Sequence, residues 1–440
     1  MNLVLAKTET GRALTSVFAV ARDRLPGAGK VADARRQAFE AYEHAGLPHR
    51  RIEEWKYTDL RALMREVLPL AAAPDETALK RAGAALKAQA VETASKLVLV
   101  DGVFVPELSD VAALDRGVSV RTLREVLESD GNDARADLLI TKTADAMISL
   151  NASLVTDGVV VTVADGTNLS RPIHIVHVAT VSSMSAFTRS HVRIGKGARA
   201  TLVESFVAAE GAKAYQANDA VILSIGDGAE FSQVRLLADA SDAVNVTSQI
   251  LTVGAKAKLN LFNMTGGGGV TRLQGFITLA GEGSELSING VNLLKGTQHG
   301  DTTLVVDHAV PRCTSREVFR AVVDDRAHSV FQGRIIVRPD AQKTDGKMMT
   351  RALLLSDEAE ADNKPELEIF ADDVTCGHGA TTGALDDSLL FYLRARGLPE
   401  KEAQALLIQA FVGEAIEEIA DDDLREVAMA VAQRWLEARA

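Results

Sequence analysis

Arg193–Phe206 reads RIGKGARATLVESF, and three later stretches repeat its pattern: SIGDGAEFSQVRLL at 224–237, TVGAKAKLNLFNM at 252–264 and LAGEGSELSINGVN at 279–292. They place Gly195, Gly226, Gly254 and Gly281 at intervals of 31, 28 and 27 residues. Each unit reads as strand, glycine turn, strand. Self-similarity at this period is the mark of a solenoid, and strand-only units of this length read as coils of a β-helix. Glycine suits the bend because it adopts positive φ without cost, and stacked bends would bring these glycines into register. A large antiparallel sandwich would also give evenly spaced turns, and it is the competing reading.

The strand texture extends outward from these units. LVLVDGVFV, DGVVVTVADGT and RPIHIVHVATV precede them, and strand-like runs continue to about residue 375. A helical interlude is expected near 120–150. Residues 1–95 read as an N-terminal helical domain, in which Ala13, Val17, Val20 and Ala21 fall near helical spacing and a second helical piece runs from Glu76 to Leu97. In RRIEEWKYTDLRALM, Trp55 anchors an otherwise charged face. Residues 96–375 form the expected β-helix core, and 376–440 a C-terminal helical domain. There Asp386 or Asp387 caps a helix through Leu389 and Leu393, Gly397 ends it, and Pro399 opens a second helix with Ala403, Leu406, Leu407, Ala410 and Phe411 on its apolar face.

The composition suits such a core: 47% of the 440 residues are hydrophobic and only 4% aromatic, so small aliphatic side chains dominate. A net charge of −12 argues against nucleic acid or an anionic membrane as partner, since both need basic surface. No apolar run is long enough for a membrane span, and the N-terminus is broken by Lys7, Glu9 and Arg12, so a cytoplasmic protein is expected. The two cysteines, Cys313 and Cys376, form neither a disulfide framework nor a zinc motif. GAGKV, ending at Val31, lacks the first glycine and the hydroxyl of a phosphate loop, and Gly266–Gly269 is followed by no Lys-Ser/Thr, so ATP hydrolysis is not expected. The latter glycines read as a flexible loop.

Three groups could carry chemistry. Cys376 and His378 stand two residues apart in an extended stretch, so thiol and imidazole share one face: half of a soft-metal site. Gly377 and Gly379 leave the backbone bare for close approach. His174 and His177, three apart on a strand, face opposite sides and read as ordinary sheet residues. His299, His308 and Cys313 are near in sequence but would share a site only if the fold brought them together.

The run PRCTSREVFRAVVDDRAHSVFQGRIIVRPDAQKTDGKMMTRALLLSDEAEADNKPELEIFADDVTCGHGATTGALDDSLLFYLRARGL resembles the SufB/SufD family of iron-sulfur cluster assembly scaffolds. GLPHRRIEEWKYTDL and LNASLVTDGVVVTVADGTNLSRPIHIVH resemble its N-terminal motif and the opening of its β-helix. The resemblance implies a mainly β fold, a right-handed parallel β-helix flanked by N-terminal and C-terminal α-helical domains. It implies a non-enzymatic scaffold in a complex with SufB, through the β-helices, and with the ATPase SufC, through C-terminal helices for which Leu389, Leu393, Leu406, Leu407 and Phe411 are the candidates. Gly379, where SufB carries Glu, puts TCGHGATTG on the SufD side of the family, and there the histidine is assigned the role. His378, with Cys376, is thus the expected cluster-assembly residue and metal ligand, shared with SufB. No stable cofactor is expected on this chain alone, only a nascent cluster or iron held jointly. The alternatives are a homodimeric scaffold acting without SufB and, much further off, a β-helix polysaccharide lyase or adhesin.

Overall fold

The computed structural model describes residues 16–64, 68–87, 91, 93–129, 133–141 and 143–439. Ala13, of the expected N-terminal helical face, lies outside them. The core is a parallel β-solenoid of about eight turns. Its strands alternate between two sheets. One is 10-stranded and ends at Thr375–Gly383, and the other is 9-stranded and ends at Glu360–Ile369. Every pair of successive coils is parallel and in register, as in Gly346↔Cys376 and Thr188↔Asp219, which excludes the antiparallel sandwich. Only the first strands differ: Val103–Phe104 and Val118–Thr122 each pair antiparallel with a neighbour.

Gly195, Gly226, Gly254 and Gly281 do stack in register, but for a reason other than positive φ. A Cβ on Gly226 would lie 2.8 Å from the carbonyl carbon of Gly195, and one on Gly281 only 2.2 Å from that of Gly254. The glycines are there because backbones of adjacent coils touch. The left-handed residues come two positions later, at Gly197, Gly228, Lys256 and Gly283. Gly266–Gly269 is likewise a packed corner rather than a loose loop, for a Cβ on Gly267 would sit 2.5 Å from the Asp239 carbonyl oxygen.

Alternation along each strand sends one row into the lumen and the other outward. The lumen row is apolar along one edge, where Leu202, Phe231, Leu259, Ile288, Phe331 and Met348 form a continuous core. The outer faces are covered by helices at opposite sides. Helix Ala146–Leu154 packs on the 9-stranded sheet, and helix Lys30–Ala45 packs on that helix. Helices Glu400–Ile416 and Asp422–Glu437 bury Ile408, Val412, Ile416, Leu424 and Trp435 against Val234, Phe262, Val291 and Val322 of the 10-stranded sheet. The interlude contains helices Leu123–Glu128 and Ala146–Leu154 with a 3-10 segment between. The second helical piece is described over Glu76–Lys87, and Leu97 belongs to the first strand, Ser95–Val100, whose β-branched residues fit a buried ladder. At the other end the last strand continues to Gly383, and the first C-terminal helix begins at Asp387.

The charged stretch around Trp55 is a clamp. Trp55 is buried, donates from Nε1 to Asp145 Oδ2 at 3.0 Å, and carries the Arg272 guanidinium over its ring at 3.7 Å. Arg272 pairs with Asp301, which also accepts from Thr58, and Thr58 meets His299 Nε2 at 2.8 Å. A guanidinium stacked on indole and bonded to a buried carboxylate fixes the N-terminal helices to the sheet.

Candidate functional site at the open end of the solenoid

Glu360–Ile369 and Thr375–Gly383 are the terminal strands of the two sheets, each paired on one side only. Earlier strands are largely buried, whereas these two are half-buried to exposed along their whole length. Pro365 sits in the former, a residue confined within sheets to edges and bulges because it cannot donate to a ladder. Ile369 and Phe370 are 42% and 58% exposed where this strand ends, so apolar surface accompanies the unpaired backbone.

Cys376 and His378 lie on the last strand. Their register partners, Gly346 and Met348, belong to the lumen row, so both side chains face the mouth of the lumen. Cys376 is half-buried against the apolar core and His378 is exposed. Burial pushes the Cys376 thiol up, the Gly346 amide opposes this, and the Asp345 and Glu317 carboxylates add to it. The chain by itself therefore holds a thiol there rather than a thiolate, which is the metal-binding form. A Cβ on Gly377 would meet nothing within 4 Å, so the backbone between the two side chains is open to close approach.

Beneath this mouth lies a group the sequence reading missed. Glu317 occupies the lumen row two coils inward, in the column Glu317–Met348–His378. Both of its carboxyl oxygens are buried, and burial raises its pKa to about 8. Its TSREV context looks like a solvated strand edge, and only the register places it inside. Ile369 and Phe370 also went unread, although two bulky apolar residues before ADD are an available signal.

His299, His308 and Cys313 are not brought together. His299 faces outward onto Thr58, whereas His308 is in the lumen with Nε2 2.9 Å from Ser315 Oγ. Cys313 is fully buried under a turn, receiving a bond from Ser284 Oγ at 3.3 Å. On the C-terminal helices, Asp386 is the N-cap, accepting from the Ser388 and Leu389 amides, and Gly397 follows with φ +92°. Leu389 and Leu406 are exposed, as are Phe391 and Tyr392 beside them. Leu393 and Leu407 are half-buried. Phe411 is partly buried in the interface with the solenoid, under Arg320 at 4.8 Å. Ala403 is fully buried and Ala410 exposed, so the apolar residues of that helix do not form one outward face.

Residues 177–411 match the family model described as the SufBD core domain of the SUF system for FeS cluster assembly, and residues 15–175 match that of the SufBD protein N-terminal region. The chain belongs to the SufBD family. It is 32% identical to the iron-sulfur cluster assembly protein SufD of Escherichia coli, over 91% of this chain and 93% of the relative. A SufBD family protein of Synechocystis is 29% identical over 88% and 87% of the two chains, and SufD of Bacillus subtilis 26% over 66% of each. The SufBD assignment makes this an iron-sulfur cluster assembly protein similar to SufD, and the GLPHRRIEEWKYTDL resemblance turns out to mark the Trp55 clamp, which serves the fold.

Proposed function

We propose that this chain is the SufD-type, non-ATPase scaffold subunit of a SUF complex, in which the open C-terminal coil joins a SufB-type chain and His378, with Cys376, contributes to a cluster site shared across that junction. The observation that carries this reading is the coincidence of the two soft-ligand side chains with the strand edge that nothing covers. One imidazole and one thiol are too few for a cluster, which takes about four protein ligands, so the remainder must come from a partner. A free parallel edge with exposed Ile369 and Phe370 fits a partner that extends the sheet. The nascent cluster or iron is cargo here, held jointly and passed on, with no stable cofactor on this chain alone.

The same reading gives ATP hydrolysis to a SufC-type ATPase docked on the C-terminal helices. The exposed Leu389, Phe391, Tyr392 and Leu406 are the contact side chains, while Leu393, Leu407 and Phe411 support them from beneath. No described helix is long and apolar enough to cross a membrane, in keeping with a cytoplasmic complex.

Cluster content after co-expression with SufB-type and SufC-type partners tests the site. His378→Ala should leave the complex assembled but lower cluster formation at least about tenfold. His378→Cys should recover part of it, and Cys376→Ala should cost less. Undiminished cluster formation in His378→Ala removes the histidine from the site, and a larger loss in Cys376→Ala moves the role to the thiol. A chain that forms clusters as a homodimer, without the SufB-type partner, overturns the shared site.

A further inference from the structure

The lumen is apolar along one edge and polar along the other. In the first coils the polar edge gathers His177, Glu204, Asp219, Gln233, Arg235 and Gln249, drawn from five strands. Glu204 and Asp219 are shut off from solvent, with side-chain exposures of 0% and 2%. Each satisfies one oxygen: Gln233 Nε2 donates to Glu204 Oε2, and Thr188 Oγ1 donates to Asp219 Oδ1 at 2.7 Å. The other oxygens, Glu204 Oε1 and Asp219 Oδ2, are buried without a hydrogen-bond partner, and so is His177 Nε2. One ligand atom from each of the three residues lies within 4.8 Å of the others, the only such group of three among the described residues.

Arg235 does not account for this arrangement. Its nearest approaches are 3.7 Å to Glu204 and 3.9 Å to Asp219, beyond hydrogen-bond reach, and all three of its guanidinium nitrogens are themselves unpartnered. It supplies one positive charge against two carboxylates, and the buried Arg189 also acts on Asp219. Burying an unpaired carboxylate costs several kcal/mol, so each of these empty acceptors calls for a proton or a cation.

We propose that His177, Glu204 and Asp219 form a divalent-cation site inside the first coils, taking a first-row transition metal ion of the zinc or ferrous-iron class. One imidazole and two carboxylates are a borderline-to-hard ligand set that suits these ions and, lacking thiolate, does not suit a cluster. The His177 ring lies flat on Phe206, with centroids 4.4 Å apart and planes 1° apart, so the orientation is fixed before an ion arrives. A cavity of about 40 Å³ lies on the His177 side, lined also by Thr188, Phe206, Tyr215 and Asp239. The site is far along the solenoid from Cys376 and His378 and is independent of the function proposed for them.

The metal-stripped full chain, titrated with Co²⁺ by visible absorption and with Zn²⁺ by calorimetry, tests this. The wild type should bind one equivalent, and so should the Cys376→Ser/His378→Ala double variant. The isosteric Glu204→Gln and Asp219→Asn should weaken binding at least about tenfold. No saturable binding, or full affinity in Asp219→Asn, overturns the site. Because buried variants can fail to fold, wild-type crystals soaked in Mn²⁺ provide a second measurement. An anomalous peak among the three side chains supports the assignment, and a map without one contradicts it.

Discussion

At its N-terminal end the solenoid finishes with Val103–Phe104 and Val118–Thr122, short strands turned antiparallel to their neighbours, with helix Glu76–Lys87 packed on Val98 and Val176 alongside. At its C-terminal end the last two strands remain parallel, in full register with the coil beneath, and carry nothing beyond them among the described residues. Natural sheets blunt exposed edges, as Pro365 does on Glu360–Ile369, whereas Thr375–Gly383 is left as a long open edge. The side chains agree, since the open end carries Cys376, His378, Ile369 and Phe370. At the closed end His177, Glu204 and Asp219 are enclosed in the lumen.

The largest effect should come from making the open end unfit for pairing. Ile369→Asp/Phe370→Asp places two carboxylates where two exposed apolar side chains stood, and should abolish co-purification of a SufB-type partner while leaving the β circular-dichroism signal intact. Unchanged co-purification would mean that the partner joins elsewhere.

Trp55→Ala removes the ring beneath Arg272 and the donor to Asp145, and should cost about 3–5 kcal/mol by chemical denaturation, as for other large buried aromatics. Partner binding at the open end should survive at temperatures where the variant is folded. Loss of pairing in a folded Trp55→Ala chain would show that the two ends are not independent.

The smallest effect concerns the lumen under the mouth. Glu317 keeps its proton up to about pH 8 in the folded chain, whereas an unfolded glutamate releases it above about 4.3. The folded pKa is the higher one, so the associated stability is fully present below the unfolded value and is lost as pH rises toward 8. Glu317→Gln should remove that loss. Its gain in melting temperature should be near zero at acid pH and grow up to about pH 8, and a pH-independent gain would place the carboxyl in solvent instead.

The solenoid was legible because a coil repeats one structural problem, and Gly195, Gly226, Gly254 and Gly281 solve it identically. Their reason was misread because φ at a bend is a local matter, whereas contact between stacked backbones depends on residues 27 to 31 positions away. The Cys376/His378 pair was legible because both residues share one strand. The polar edge of the lumen was not, for His177, Glu204, Asp219 and Arg235 come from four strands and meet only through register. His177 shows the limit well: its strand reading was right about opposite faces, yet one of those faces was the lumen. Phe411 and Leu406, read together on one apolar face, stand about 140° apart around the helix and so divide between solenoid and solvent.

Amide hydrogen exchange on the chain alone and mixed with a SufB-type chain tests the open end most directly. The account predicts that amides within 360–383 exchange fast in the isolated chain and gain protection on mixing, while those of 95–122 stay unchanged. Protection gained at 95–122, or none within 360–383 when the complex has formed, would contradict it.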